Sequence, residues 1–120
     1  MNRYYVDWDE IEALVFRLSH KILTNDLKFK NIYGLQRGGL IPAVMLSHQL
    51  GIPMAKGDIG PDTLIVDDIC DSGETLDKIV KKYQTLYSYP FNLKTAVLHY
   101  KPHTSCFEPT FYSELYLSDY

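Results

Sequence analysis

With 120 residues, 46% of them apolar and ten of them tyrosine, the chain has material for one ordered domain spanning residues 1–120 and too little for two. A net charge of −3 gives no electrostatic footprint for nucleic acid or an anionic membrane, so neither is expected as a partner. No run approaches the roughly 18 consecutive apolar residues of a membrane span. "MNRYYVDWDE" has no signal-peptide core, and the two cysteines, Cys70 and Cys106, form no C-x-x-C pair, so a reduced cytoplasmic protein is expected.

Along the chain, "DWDEIEALVFRLSHKILTN" reads as a first helix. Asp7 stands three residues before Glu10, a capping-box spacing. Ile11, Leu14, Val15, Leu18 and Ile22 recur at helical intervals and mark one buried face. "NIYGL" (Asn31 to Leu35) reads as a short strand, and "QRGG" as a turn. "LIPAVMLSHQLG" then reads as a second helix, with Pro42 tolerated in the first turn and Gly51 suited to end it. "IPMA" is expected as a short strand. "TLIVDD" is a stronger one, because four consecutive apolar residues suit a strand covered on both faces. Leu76, Ile79, Val80 and Tyr83 give helical spacing from Glu74 to about Tyr87. "LKTAVLHY" is the next strand, and "ELYL" is expected as a last short one.

Strands alternating with helices predict an α/β fold: an open parallel sheet with helices on both faces. Ligands of such sheets bind outside the carboxyl ends of the strands. Three polar turns lie at such ends, "QRGG", "DDICDSGET" and "KPHTS", and they are expected to face one crevice.

Each turn carries a chemical reading beside a plainer one. In "DSGET", small residues let the backbone curl, Ser72 and Thr75 offer hydroxyls, and the next helix aims free N–H groups at the same spot, which outlines a phosphate site. The plain alternative is a helix start capped by Asp71 or Ser72. Asp67 and Asp68 are adjacent carboxylates at a strand end. They can hold Mg²⁺ directly or through water, accept hydrogen bonds from vicinal hydroxyls, or pair with a nearby cation. Asp71 is the candidate acid or base. Arg37 with Gly38 and Gly39 suits an anion such as pyrophosphate, or is a glycine turn with an exposed arginine. Lys101 can donate to a carbonyl oxygen, or is a surface lysine. Cys70 is either a packed thiol or a reactive one beside the acids. The four histidines, at 20, 48, 99 and 103, show no metal-ligand spacing.

"LIVDDICDSGET" resembles, along its whole length, the phosphoribosyl-pyrophosphate signature of type I phosphoribosyltransferases. "IYGLQRGGLIPAVMLSHQLGIPM" resembles their pyrophosphate-loop region in the "RGG-x-x-PA" form of bacterial xanthine–guanine enzymes. "AVLHYKP" resembles the strand and lysine that meet the purine 6-oxo group. The match runs from about Asn31 to Pro102. It implies transfer of a phosphoribosyl group from phosphoribosyl pyrophosphate to a purine, with Mg²⁺ carried mainly by the cosubstrate. Asp71, Ser72, Gly73, Glu74 and Thr75 would wrap the 5-phosphate, and Asp67 and Asp68 would meet the ribose hydroxyls. Arg37 and Gly38 would lie against pyrophosphate, Asp71 would face N7 of the purine, and Lys101 would read O6.

The chain departs from that family in two places. A long lid loop usually precedes the signature strand, and only "AKGDIGPD" stands there. The hood that places an aromatic residue on the base is reduced: "FEPTFYSEL" resembles its approach, and Tyr116 or Tyr120 is the available aromatic group. The expectations are therefore a minimal purine phosphoribosyltransferase, with a homodimer as one way to supply missing walls. The alternative is a weak or inactive relative that binds phosphoribosyl pyrophosphate or a nucleotide as a sensor.

Overall fold

The computed structural model describes residues 7–57, 59–86 and 93–117. Its first elements follow the sequence pattern closely. Helix α1 (Trp8–Leu23) starts on a complete capping box: the Glu10 amide donates to Asp7 Oδ1 at 2.9 Å and the Asp7 amide to Glu10 Oε1 at 3.3 Å. Its buried residues are Leu14, Val15, Leu18, Ser19 and Ile22. Strand β1 is Asn31–Gly34, and helix α2 is Leu40–Leu50, closed by Gly51 in the left-handed conformation at φ 68°. Strand β2 is Thr63–Cys70, helix α3 is Glu74–Leu86, strand β3 is Lys94–Tyr100 and strand β4 is Phe111–Leu115.

All pairings are parallel, in the order β1-β2-β3-β4. On the free edge of β1, Ile32 bridges to Met54: its amide donates to Pro53 O at 3.0 Å, and its carbonyl accepts from Ala55 N at 2.7 Å. The predicted strand "IPMA" is thus reduced to one bridging residue. That bridge still fixes the winding. From β1 the chain first moves to one side and then crosses back to form β2 on the other. Right-handed crossovers then place α2 and α3 on opposite faces.

The two cores follow from this winding. Leu64 and Val66 of β2, with Ala96 and Leu98 of β3, point to the face covered by α1 and α2. Ile65 and Val97 point the other way, toward Leu76, Ile79, Val80 and Tyr83 of α3. Apolar residues on both faces explain why "LIV" is continuous rather than alternating. The crevice between β1 and β2, where the winding reverses, is the place where such sheets bind ligands.

Two strand limits, those of β2 and β4, differ clearly from the sequence reading. Strand β2 continues past "TLIVDD" to Cys70, because Ile69 and Cys70 still pair with His99 and Tyr100. Strand β4 begins at Phe111 rather than at Glu114; Thr110 and Thr95 exchange amide-to-hydroxyl bonds of 3.1 Å that dock the chain beside β3 earlier. The predicted end of the third helix at about Tyr87, and Tyr120, lie outside the described residues.

Candidate active site

The sheet has staggered ends. Strand β1 stops at Gly34, and one last bond, Leu35 N to Val66 O at 2.9 Å, holds it to β2. Strand β2 runs on for four residues, so Asp67 and Asp68 lie within the strand but have no β1 neighbour beside them. The "QRGG" turn curls over this step, with a cis peptide between Gln36 and Arg37. Close approach of backbone requires the glycine at 39, while Gly38 lies against the Asp68 carboxylate. A side chain at Gly38 would begin 2.5 Å from Asp68 Oδ2, and one at Gly39 would run into Val66 O. Arg37 and Gly38 are exposed at the crevice mouth, and Arg37 makes no ion pair among the described residues.

Each member of the acidic pair uses one oxygen locally. The Asp68 amide donates to Asp67 Oδ1 at 2.8 Å, and the Ile69 amide to Asp68 Oδ1 at 2.9 Å. Burial, reinforced by Asp68 alongside, pushes the Asp67 carboxyl up to about 7. Asp68 is exposed. Among the described residues no cluster of three or more His, Cys, Asp or Glu could hold a metal, so the pair alone is a two-carboxylate donor set.

Asp71, Ser72, Gly73 and Thr75 line a small cavity of about 160 Å³ together with Asp67. Gly73 adopts φ 80°, and a side chain there would meet Ser105 Oγ and, at 2.8 Å, Phe107 Cβ. The first intrahelical bond of α3 runs from Asp77 N to Gly73 O at 2.9 Å, and Ser72 Oγ accepts from the Glu74 amide at 3.3 Å. Asp71 does not cap the helix. The amides of Thr75 and Leu76 have no acceptor among the described residues, and Thr75 and Leu76 line the cavity. A hollow of about 490 Å³ between α1 and α2 is lined by Asp9, Glu12 and Phe16 with no cation, which makes it unsuited to a phosphate.

Lys101, at the end of β3, is brought to Asp71: Nζ stands 3.7 Å from Asp71 Oδ2. The same ammonium lies 5.8 Å from the centre of the Tyr116 ring. Cys70 is buried beneath the loop, its Sγ 3.3 Å from Ser105 Oγ, and burial pushes its thiol up; it is a packing residue. Buried His99 is held below its ordinary range by burial, against the opposing pull of Glu114 at 3.4 Å.

The sequence-predicted residues therefore fall into groups. Asp67, Asp71, Ser72, Gly73 and Thr75 share the cavity, Lys101 joins them through Asp71, and Gly38 touches Asp68. Arg37 and Glu74 are exposed, and among the described residues neither side chain makes an ion pair with the rest of the group. The sequence reading did not single out Thr104 and Ser105. Thr104 donates to Asp71 Oδ1 at 2.8 Å, and Ser105 packs under Gly73. The available signal was Pro102 directly after Lys101, since a proline-initiated turn returns the fourth residue to the first.

Comparison with known proteins gives one consistent answer. The fold superimposes on the purine phosphoribosyltransferase of Pyrococcus horikoshii with a TM-score of 0.79 and 31% identity, covering 97% of this chain and 89% of that one. The Helicobacter pylori xanthine-guanine-hypoxanthine phosphoribosyltransferase, at 15% identity and a TM-score of 0.77, shares the fold over 92% of this chain and 85% of its own. By sequence, the xanthine-guanine phosphoribosyltransferase of Vibrio vulnificus is 29% identical over 104 residues, covering 68% of this chain. The match spans 66%, just under two thirds, of that relative's length. No protein-family model matches the chain. The parallel sheet, the loop after β2 and these relatives together place the chain in the type I phosphoribosyltransferase family, among its bacterial purine-type members.

Proposed function

We propose that this protein, as a single unit over residues 1–120, transfers the phosphoribosyl group of phosphoribosyl pyrophosphate to a 6-oxopurine and releases pyrophosphate. The observation that carries this reading is the pairing of Asp71 with Lys101 at 3.7 Å on the rim of the phosphate-sized cavity. A 6-oxopurine presents an N7–H donor and an O6 acceptor side by side on one edge. A carboxylate beside an ammonium is the complementary pair.

In this scheme the amides of Thr75 and Leu76 and the hydroxyls of Ser72 and Thr75 receive the 5-phosphate, with Gly73 and Glu74 shaping the loop. Asp67 and Asp68 use their remaining oxygens on the ribose hydroxyls. Arg37 and the Gly38 backbone face the pyrophosphate. The C1–oxygen bond to pyrophosphate breaks as purine N9 forms its bond to C1, and Asp71 takes the proton released at N7. Fixed carboxylates around the sugar stabilise positive charge developing at C1. Mg²⁺ fits this donor set only together with the cosubstrate, because two carboxylates and substrate phosphates are a usual magnesium environment. When bound, it would neutralise charge on the leaving pyrophosphate. A homodimer belongs to the same reading: exposed Leu40, Ile41 and Val44 leave an apolar strip on α2 directly after the pyrophosphate turn.

One observation favours the second reading, a nucleotide-binding relative with little turnover. The short segment before β2 is pinned at its end, with Ile59 only 3% exposed in the α3-side core and Thr63 Oγ1 accepting from the Gly60 amide at 3.1 Å. It has no length to close over a reacting sugar. The test is pyrophosphate release with guanine, xanthine and hypoxanthine. Purine-dependent release that falls at least 100-fold in Asp71→Asn and Arg37→Ala supports the transferase (about 3 kcal/mol of lost stabilisation). Cosubstrate binding with no release for any base supports the second reading.

A further inference from the structure

We infer that Thr104 is a positioning residue for Asp71, and that the turn "KPHT" acts as a two-point clamp on that single carboxylate. The inference rests on the transferase reading above. Lys101 and Thr104 are the two ends of one turn, closed by Thr104 N to Lys101 O at 3.3 Å and initiated by Pro102. The turn delivers both side chains to Asp71 but to different oxygens. Lys101 Nζ lies 3.7 Å from Oδ2, and Thr104 Oγ1 lies 2.8 Å from Oδ1.

The Thr104 hydroxyl has one hydrogen and three oxygens within reach: Asp71 Oδ1 at 2.8 Å, Asp71 O at 3.0 Å and Lys101 O at 3.5 Å. The carboxylate oxygen is both the nearest and the only charged acceptor, so it takes the hydrogen. Asp71 stands in an exposed loop with its side chain 55% open to solvent, and among the described residues Lys101 and Thr104 are the polar side chains that hold its carboxylate. An ammonium alone fixes distance poorly, since it is a point charge on a flexible stem. Adding a short hydroxyl bond to the other oxygen fixes the carboxylate plane. The plane decides whether a lone pair faces the purine N7–H. A misdirected acceptor lowers the rate of proton removal without weakening sugar-phosphate binding, because among the described residues the Thr104 hydroxyl makes no hydrogen bond to Ser72, Thr75, Asp67 or Asp68 side chains.

The test compares Thr104→Val, which keeps the shape and deletes the donor, with Thr104→Ser, which keeps the donor. Loss of a charge-assisted hydrogen bond predicts a kcat about 10-fold lower in Thr104→Val, with KM for phosphoribosyl pyrophosphate within about twofold of the parent. Thr104→Ser restores kcat to within about threefold, and in an Asp71→Asn background Thr104→Val causes no further loss, since two residues acting as a unit are not additive. Four results would overturn it: kcat unchanged in Thr104→Val, a raised KM as the sole effect, no rescue by serine, or a full additional loss on top of Asp71→Asn. If the parent protein releases no pyrophosphate with any purine, the transferase reading falls and takes the clamp's role with it; an active parent with an indifferent Thr104→Val sinks the clamp alone.

Discussion

Replacing Asp67 by asparagine should make the protein less sensitive to pH. Asp67 is held near 7 against an ordinary 3.8, first by burial and then by its neighbour Asp68. The folded state thus keeps the Asp67 proton to a higher pH than the unfolded chain does. Between about pH 4 and pH 7 the folded protein binds more protons, so its stability falls as pH rises through that window. A rise of roughly three pH decades at 1.36 kcal/mol each amounts to about 4 kcal/mol, and solvent reaching the partly exposed group brings the expected loss to about 2 kcal/mol. The asparagine side chain carries no charge and still accepts from the Asp68 amide through its Oδ1. Urea unfolding followed by circular dichroism at pH 4.5, 6 and 7.5 measures this directly. The Asp67→Asn protein should gain on the parent by about 2 kcal/mol from the lowest to the highest pH. Parallel stability curves, with a constant gap between the two proteins, would refute the reasoning.

The same carboxyl makes ligand binding proton-linked. If sugar hydroxyls occupy Asp67, they favour its ionised form, so phosphoribosyl pyrophosphate should bind several-fold more tightly at pH 8 than at pH 6, and calorimetry in two buffers should show proton release that Asp67→Asn abolishes. Gly73→Ala puts a methyl group at φ 80° against Ser105 and Phe107; the cost is about 1–3 kcal/mol, read as a drop of roughly 5–10 °C in Tm. Asp7→Ala removes the side-chain acceptor of the α1 capping box, while the residue 7 amide can still donate to Glu10, and should cost about 1 kcal/mol in urea unfolding; Asp7→Asn retains most of it. Light scattering tests the α2 strip: Ile41→Glu should convert a dimer to monomer, and a parent protein that is already monomeric dismisses the pairing.

Much of this architecture is legible in the sequence because its causes are local. The Asp7–Glu10 pair announces α1, and Gly51 ends α2, since both signals act within a few residues. The unbroken "LIV" run announces a strand covered twice. The limits of β2 and β4 were less visible, because strand length is set by main-chain bonds to a neighbour that the side chains do not encode. Ile69 and Cys70 lie beyond the predicted strand "TLIVDD", yet β3 runs alongside and keeps them extended. The same logic applies to Met54, where a predicted strand finds one pairing position on β1 and no more. In the site, Asp67 through Thr75 are contiguous and therefore readable together. Thr104 is 33 positions from Asp71, and its role needs the fold to be seen.

The segment after β3 is fastened beneath the loop that follows β2 by main-chain atoms: Lys101 N to Cys70 O at 3.0 Å and Cys106 N to Ser72 O at 2.7 Å. Every residue except proline carries such a donor. Side-chain changes in this segment therefore leave the donors of the seam in place. On the transferase reading proposed above, a scaffold stitched in this way can diversify the turn after β3 at little risk to the loop that grips the sugar phosphate.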